Sequence, residues 1–282
     1  MVENRPVLDF ITHVVLILGV LVVVLPVYLA FVASTHTSAD FISGVMPLWP
    51  GPHFLDNYSK LFLGGSAALS STPFALMLIN SLWMALIIAI GKIAISILSA
   101  YAIVYFKFPF RMLAFWLIFA TLMLPVEVRI LPTFKVVADL GLLNSYAGLT
   151  IPLIASATAT FLFRQFFLTV PDELVEAARV DGAGPMKFFR DILLPLSRTN
   201  IAALFVILFV FGWNQYLWPL LVTTDPKYYT VVMGIKRLSS VVDGDTQWNV
   251  VMAGTILAAL PPVLIIIFMQ RLFVKGLTET EK

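Results

Sequence analysis

The chain has 282 residues, of which 60% are hydrophobic and only 12% charged, and its formal net charge is +2. A soluble domain carries about twice that share of charge, so the composition excludes one and indicates an integral membrane protein. The lack of cysteine excludes disulfides and thiolate metal sites, and no basic run suggests nucleic acid. In lipid the backbone must satisfy its own hydrogen bonds, which leaves helices or a closed barrel. The apolar runs are continuous over about 20 residues, the length of a helical span, and do not alternate as barrel strands do.

Ile11 to Ala33 reads as the first span. Its apolar run exceeds the roughly 7–15 residues of a signal-peptide core, and Glu3 and Asp9 weaken a positive leader. Ser34 to Thr72 is a polar loop, with a short helix predicted from Asp56-Asn57-Tyr58 through Phe62. Phe74 to Val104 is apolar for about thirty residues, roughly 46 Å of helix against a ~30 Å hydrocarbon core, so it must tilt, project into water or be sheathed. Lys92 inside this run has two readings: a lysine snorkelling to the inner surface, which is preferred, or a functional intramembrane cation.

Lys107, Pro109 and Arg111 form a short basic loop before the third span, which begins at Met112. The stretch Leu124 to Pro132, with Pro125, Glu127, Arg129 and Pro132, breaks or ends that span. Glu127 and Arg129 are two apart, do not face each other on a regular helix, and are candidate pathway residues. A turn at Gly141 to Ser145 precedes the fourth span, Ala147 to Phe163, whose Ala, Ser and Thr content suits helix packing. The fifth span, Asn200 to Val222, carries Asn214 and Gln215, either packing groups or pathway contacts. The sixth, Val250 to Phe268, is expected to bend at Pro261-Pro262.

Between the fourth and fifth spans lies the densest charge in the chain, Pro171 to Pro195. Pro171, Asp172 and Glu173 suit a helix opening, with Thr169 expected to cap it. The helix should run through Glu176, Ala177, Ala178 and Arg179 and stop at Gly182 and Gly184. Pro185 then opens a second short helix, expected to end at Pro195. With the N-terminus inside, eleven lysines and arginines fall on the inner segments and six on the outer ones, which puts this loop and both termini in the cytoplasm. No GxxxxGK[ST] occurs; the nearest fragment, Gly91-Lys92-Ile93, lacks the first glycine and the hydroxyl.

The spacing Glu-Ala-Ala, three residues, Gly, nine residues, Ile-x-Leu-Pro is met by Glu176, Ala177, Ala178, Gly182, Ile192, Leu194 and Pro195. It resembles the coupling loop of permease subunits of ABC importers. Tyr101-Ala102 with Phe108-Pro109, the Gly141 turn and Trp213-Asn214 are similar to the second permease of carbohydrate-type importers. Thr121 to Ile130, Ser156 to Phe167 and Gly212 to Leu220 resemble the branch that carries sn-glycerol-3-phosphate. The resemblance implies an all-α, type I importer permease fold with six transmembrane helices and a cytoplasmic helical coupling loop at 169–198. It divides the chain into a first helix with its extracytoplasmic loop (1–72), a permease core (73–271) and a cytoplasmic tail (272–282).

The family implies a non-catalytic translocation subunit of the bacterial inner membrane. Its partners would be a second permease, two ATP-binding cassette subunits that bind the ATP and Mg, a periplasmic solute-binding protein and lipid. Glu176, Ala177, Ala178, Arg179, Asp181, Gly182, Ile192 and Pro195 are then the ATPase-coupling residues, and Glu127, Arg129, Asn214 and Gln215 the pathway candidates. A sugar is the alternative cargo. An ATP-independent secondary carrier is the alternative class, against which stands the lack of a clear inverted repeat.

Overall fold

The computed structural model describes residues 6–42, 47–63, 72–121, 124, 126–240 and 246–278, with the side chains of residues 6, 41–42, 126–127 and 271–278 outside the description. Every regular element among these residues is helical. In chain order they begin with α1 (Pro6–Ser34), α2 (Ser38–Ile42), α3 (Phe54–Leu63) and α4 (Phe74–Tyr105). Next come α5 (Arg111–Ala120), α6 (Val126–Asp139), α7 (Tyr146–Thr150) and α8 (Ala157–Phe167). The central loop holds α9 (Asp172–Val180), α10 (Pro185–Phe188) and α11 (Leu194–Leu196). The chain continues through α12 (Arg198–Trp213), α13 (Leu217–Val222), α14 (Val231–Leu238) and α15 (Trp248–Thr278). They form two compact units: residues 1–76 with 234–260, and residues 77–233 with 261–282.

In the first unit, α1 shows its apolar side chains on all sides; none of its most apolar stretch is buried. A helix so uniformly apolar is stable only where lipid or another subunit covers it. Its C-terminal end is held by a polar knot. Asn57, 1% exposed on α3, donates its amide to the carbonyls of Ser34 (2.9 Å) and His36 (2.8 Å). The amide of Asn249 donates to Asn57 Oδ1 at 2.7 Å, and Ser38 Oγ donates to Asn249 Oδ1 at 2.7 Å. These bonds satisfy the last carbonyls of α1, which no helical turn follows.

The second unit is built on α4. Met84 and Ile88 pack with Val137, Leu149, Trp218 and Val222. Trp218 donates its indole N–H to the Gly148 carbonyl at 3.1 Å. Asn80 donates to the carbonyls of Lys227 and Tyr229, and accepts from Tyr146 Oη at 2.8 Å. Asn144 clamps the 222–225 turn: its Oδ1 accepts from the backbone N–H of Thr224 (2.7 Å) and Asp225 (2.8 Å). A Cβ added at Gly212 would lie 2.9 Å from Ala85 Cα, so α4 and α12 approach backbone to backbone there.

Several expected spans are broken. The predicted run 74–104 is one helix, α4, of 32 residues. The fourth span is two pieces, Tyr146–Leu153 and Ala157–Phe167, bent by 45°. Ser156 caps the second piece by accepting from the Ala159 N–H at 3.3 Å. The fifth ends early: α12 stops at Trp213 with Asn214 as its C-cap, and α13 starts at Leu217. Helix continues through both prolines expected to bend the sixth span. Helix α6 likewise runs over Pro132, so Leu124–Pro132 is mostly helical and the break lies before Val126. Among the described residues three helices are long and apolar enough to cross a membrane, or five if each bent pair is one span. Of the third expected span, Met112 to Leu124, the described helix is α5, ten residues or about 15 Å long, and residues 122 and 123 lie outside the description.

Candidate coupling loop and pathway residues

Helix α9 is polar, and its acidic first turn, Asp172 and Glu173, faces the positive end of the helix dipole. Thr169 does not cap it; its hydroxyl donates back to the Phe166 carbonyl at 2.7 Å, and Pro171 holds the cap position without a side-chain bond. The other end closes as a Schellman turn. Gly182 has φ +69°, its N–H donates to the Arg179 carbonyl at 3.0 Å, and the Ala183 N–H donates to the Ala178 carbonyl at 2.8 Å. An L side chain is disfavoured at that φ, which is why glycine follows Asp181 here.

Gly184 and Pro185 start α10. A π-helical turn, Phe189–Leu193, joins it to α11. The run therefore passes through Pro195 and does not end there as the sequence suggested. Proline has no N–H for the carbonyl four residues back, and the wider turn just before it relieves the clash its ring would make. The bend comes at Ser197, fully buried, whose hydroxyl donates to the Leu193 carbonyl at 2.6 Å. From there α12 leaves at 71° to the preceding helical piece.

The two halves of the loop are held differently. In the second half Phe188, Phe189 and Leu193 are buried. Phe189 meets the Tyr101 ring at 4.9 Å and Phe188 meets Tyr105 edge-on at 5.4 Å. Tyr101 Oη also donates to the Pro185 carbonyl at 2.7 Å, and Tyr105 Oη to that of Phe167 at 3.3 Å. The last turns of α4 are thus joined to the loop through aromatic contacts and the Tyr101 hydroxyl, and to the end of α8 through the Tyr105 hydroxyl. In the first half Glu176, Ala177, Arg179, Asp181 and Gly182 are exposed, while Ala178 is buried. Ile192 and Pro195 are half-buried at the base. Val180 at 87% and Met186 at 67% exposure add an apolar tip beside Gly182. Sequence reasoning missed both, and Tyr101 and Tyr105 as anchors; hydropathy does not separate a docking valine from a core valine. Arg190 donates to Asp191 Oδ1 at 2.7 Å, which holds that exposed carboxyl below its ordinary range.

The pathway candidates fall on two elements. Arg129 is exposed on α6, and the side chain of Glu127 lies outside the described residues. Asn214 is exposed at the end of α12, and the Gln215 amide donates to the Phe211 carbonyl at 3.1 Å. Lys92, 7% exposed, does not snorkel. Its Nζ lies 3.7 Å from the centre of the Phe211 ring. A long helical side chain points toward the helix N-terminus, here away from the Lys107 and Arg111 loop and into the packed region. Among the described residues no group of three or more His, Cys, Asp or Glu side chains is placed to hold a metal.

Residues 92–279 match the family model described as binding-protein-dependent transport system inner membrane component. The chain is 61% identical over 282 residues to the sn-glycerol-3-phosphate transport system permease protein UgpE of Agrobacterium fabrum, covering 100% of both. It is 58% identical to the protein of the same name from Rhizobium meliloti and 59% to that from Yersinia pestis bv. Antiqua, again over 100% of each chain. The structure superposes with TM-score 0.80 on a chain from the crystal structure of a bacterial ABC transporter involved in the import of the acidic polysaccharide alginate. That match covers 96% of this chain and 98% of the other at 19% identity, so it speaks to the fold.

Proposed function

The chain belongs to the binding-protein-dependent transport system inner membrane component family, and from that premise we propose that it is a permease subunit of an ATP-driven importer of sn-glycerol-3-phosphate. The carrying observation is full-length identity of 58–61% to permeases named for that solute. The subunit translocates and does not hydrolyse ATP. A second permease, two ATP-binding cassette subunits carrying ATP and Mg, and a periplasmic binding protein complete the importer.

The loop from α9 to α11 docks on the ATPase. Its exposed half, with Glu176, Ala177, Arg179, Asp181 and Gly182, meets the ATPase groove, Glu176 through an ion pair. Ala178 packs inside the loop, and Ile192 and Pro195 set its base. ATPase closure pulls the loop, and the Tyr101 and Tyr105 contacts pass that movement to α4 as a rigid body. This requires the loop and both termini to be cytoplasmic, the orientation that the lysine and arginine count supports.

Uptake of labelled sn-glycerol-3-phosphate by the reconstituted importer, with maltose as comparison, tests the reading. The ester should be transported and the sugar not; transport of the sugar alone would refute the cargo. Purification of the chain without a stoichiometric ATPase would instead favour a secondary carrier.

A further inference from the structure

Resting on that reading, we propose that Lys92 and Arg129 form a binding station for the phosphate group of the solute within the second unit. Lys92 is nearly buried, and its Nζ lies over the neutral face of Phe211, 3.7 Å from the ring centre. A cation–π contact offsets only part of what stripping water from an ammonium costs. A carboxylate partner is the usual compensation for a buried cation. Among the described residues Lys92 has none: it takes part in no ion pair or hydrogen bond, and neither does the guanidinium of Arg129.

Arg129 on α6 adds a second positive charge. Ile88, one helical turn before Lys92, shares a core with Ile130, the neighbour of Arg129, so α4 and α6 bring these two positions to one region. Two positive charges with no counter-charge among the described residues attract an anion of matching charge. A phosphate monoester is close to a dianion at neutral pH. The guanidinium fork takes two phosphate oxygens side by side, and the lysine adds a point charge. Asn214, three residues beyond Phe211 and exposed, supplies a donor and an acceptor for hydroxyl groups on the remainder of such a solute. A neutral sugar offers nothing to neutralise the pair, so the station also discriminates by charge.

The test uses the complete importer in proteoliposomes, with uptake of labelled sn-glycerol-3-phosphate, ATP hydrolysis and subunit stoichiometry measured together. Arg129→Gln and Lys92→Met should each lower the maximal uptake rate about tenfold or more, with the ATPase still bound. Arg129→Lys, which keeps the charge but not the fork, should recover part of the uptake lost in Arg129→Gln; a merely steric role would leave the two variants alike. If Lys92→Met fails to assemble, the exposed Arg129 and its lysine variant decide the matter. Uptake within twofold of the native complex in Arg129→Gln overturns the station while leaving the importer intact. Absence of ester uptake by the native complex overturns the cargo instead, and the two failures cannot be confused.

Discussion

At Gly182 one dihedral angle decides which residue the coupling loop accepts. The positive φ closes α9, yet no atom lies within 4 Å of where a Cβ would stand. Alanine therefore meets only backbone strain of about 1–2 kcal/mol, and Gly182→Ala should assemble and transport at a reduced rate. Leucine adds bulk on the exposed side, where Val180 and Met186 form the tip. Gly182→Leu should reach the membrane at normal abundance and lose uptake while the ATPase continues to turn over. Normal uptake in cells carrying the leucine variant would remove the docking role from this position. The Arg190–Asp191 pair is a smaller matter. Because Asp191 is held below its ordinary value, its contribution is complete above the usual carboxylate range and disappears only as pH falls through the lowered value, well outside neutral conditions.

Among the elements, the last two turns of α4 and the α10–α11 segment behave as one piece. Tyr101 is bonded to Pro185 and packs its ring at a tilt against Phe189, and Tyr105 lies edge-on to Phe188. The π turn and Pro195 keep this segment helical while the 71° bend turns the chain toward α12. Tyr101→Ala removes a ring and a hydroxyl from a buried contact, a loss of about 3–5 kcal/mol for a large core side chain. The exposed half of the loop keeps its own Schellman closure, so docking should survive. We expect Tyr101→Ala to retain the ATPase on purification but to uncouple its hydrolysis from uptake. Tyr101→Phe, which loses only the hydrogen bond to Pro185, should fall between that variant and the native protein. Equal uptake in all three would show that movement reaches the spans by another route.

For the whole molecule the decisive question is which side of the membrane holds the loop. A reporter active only in the cytoplasm should be active when fused after Arg190 and silent when fused after Gly51. The reverse pattern would overturn the charge count and the coupling role together. The exposed apolar surface points the same way as the family: the most apolar stretch of α1 is buried by none of the described residues, as a helix set among lipid requires.

Local chain chemistry was enough for the membrane class, for α4 to within a residue at its C-terminal end, and for the helix, glycine and helix order of the loop. Those features depend on residues near one another in the chain: an unbroken apolar run, a proline at a helix start, a glycine after a helix. The packed structure decided the rest. It placed the breaks after Leu153 and Trp213, where Ser156 caps the start of a new helix and Asn214 ends one that hydropathy alone would extend. It made Asn57 and Asn144 into clamps, because their partners lie up to 192 and 81 residues away. It also turned Lys92 inward onto Phe211, since the neighbours of α4, and not its own sequence, determine whether a lysine side chain reaches water or another helix.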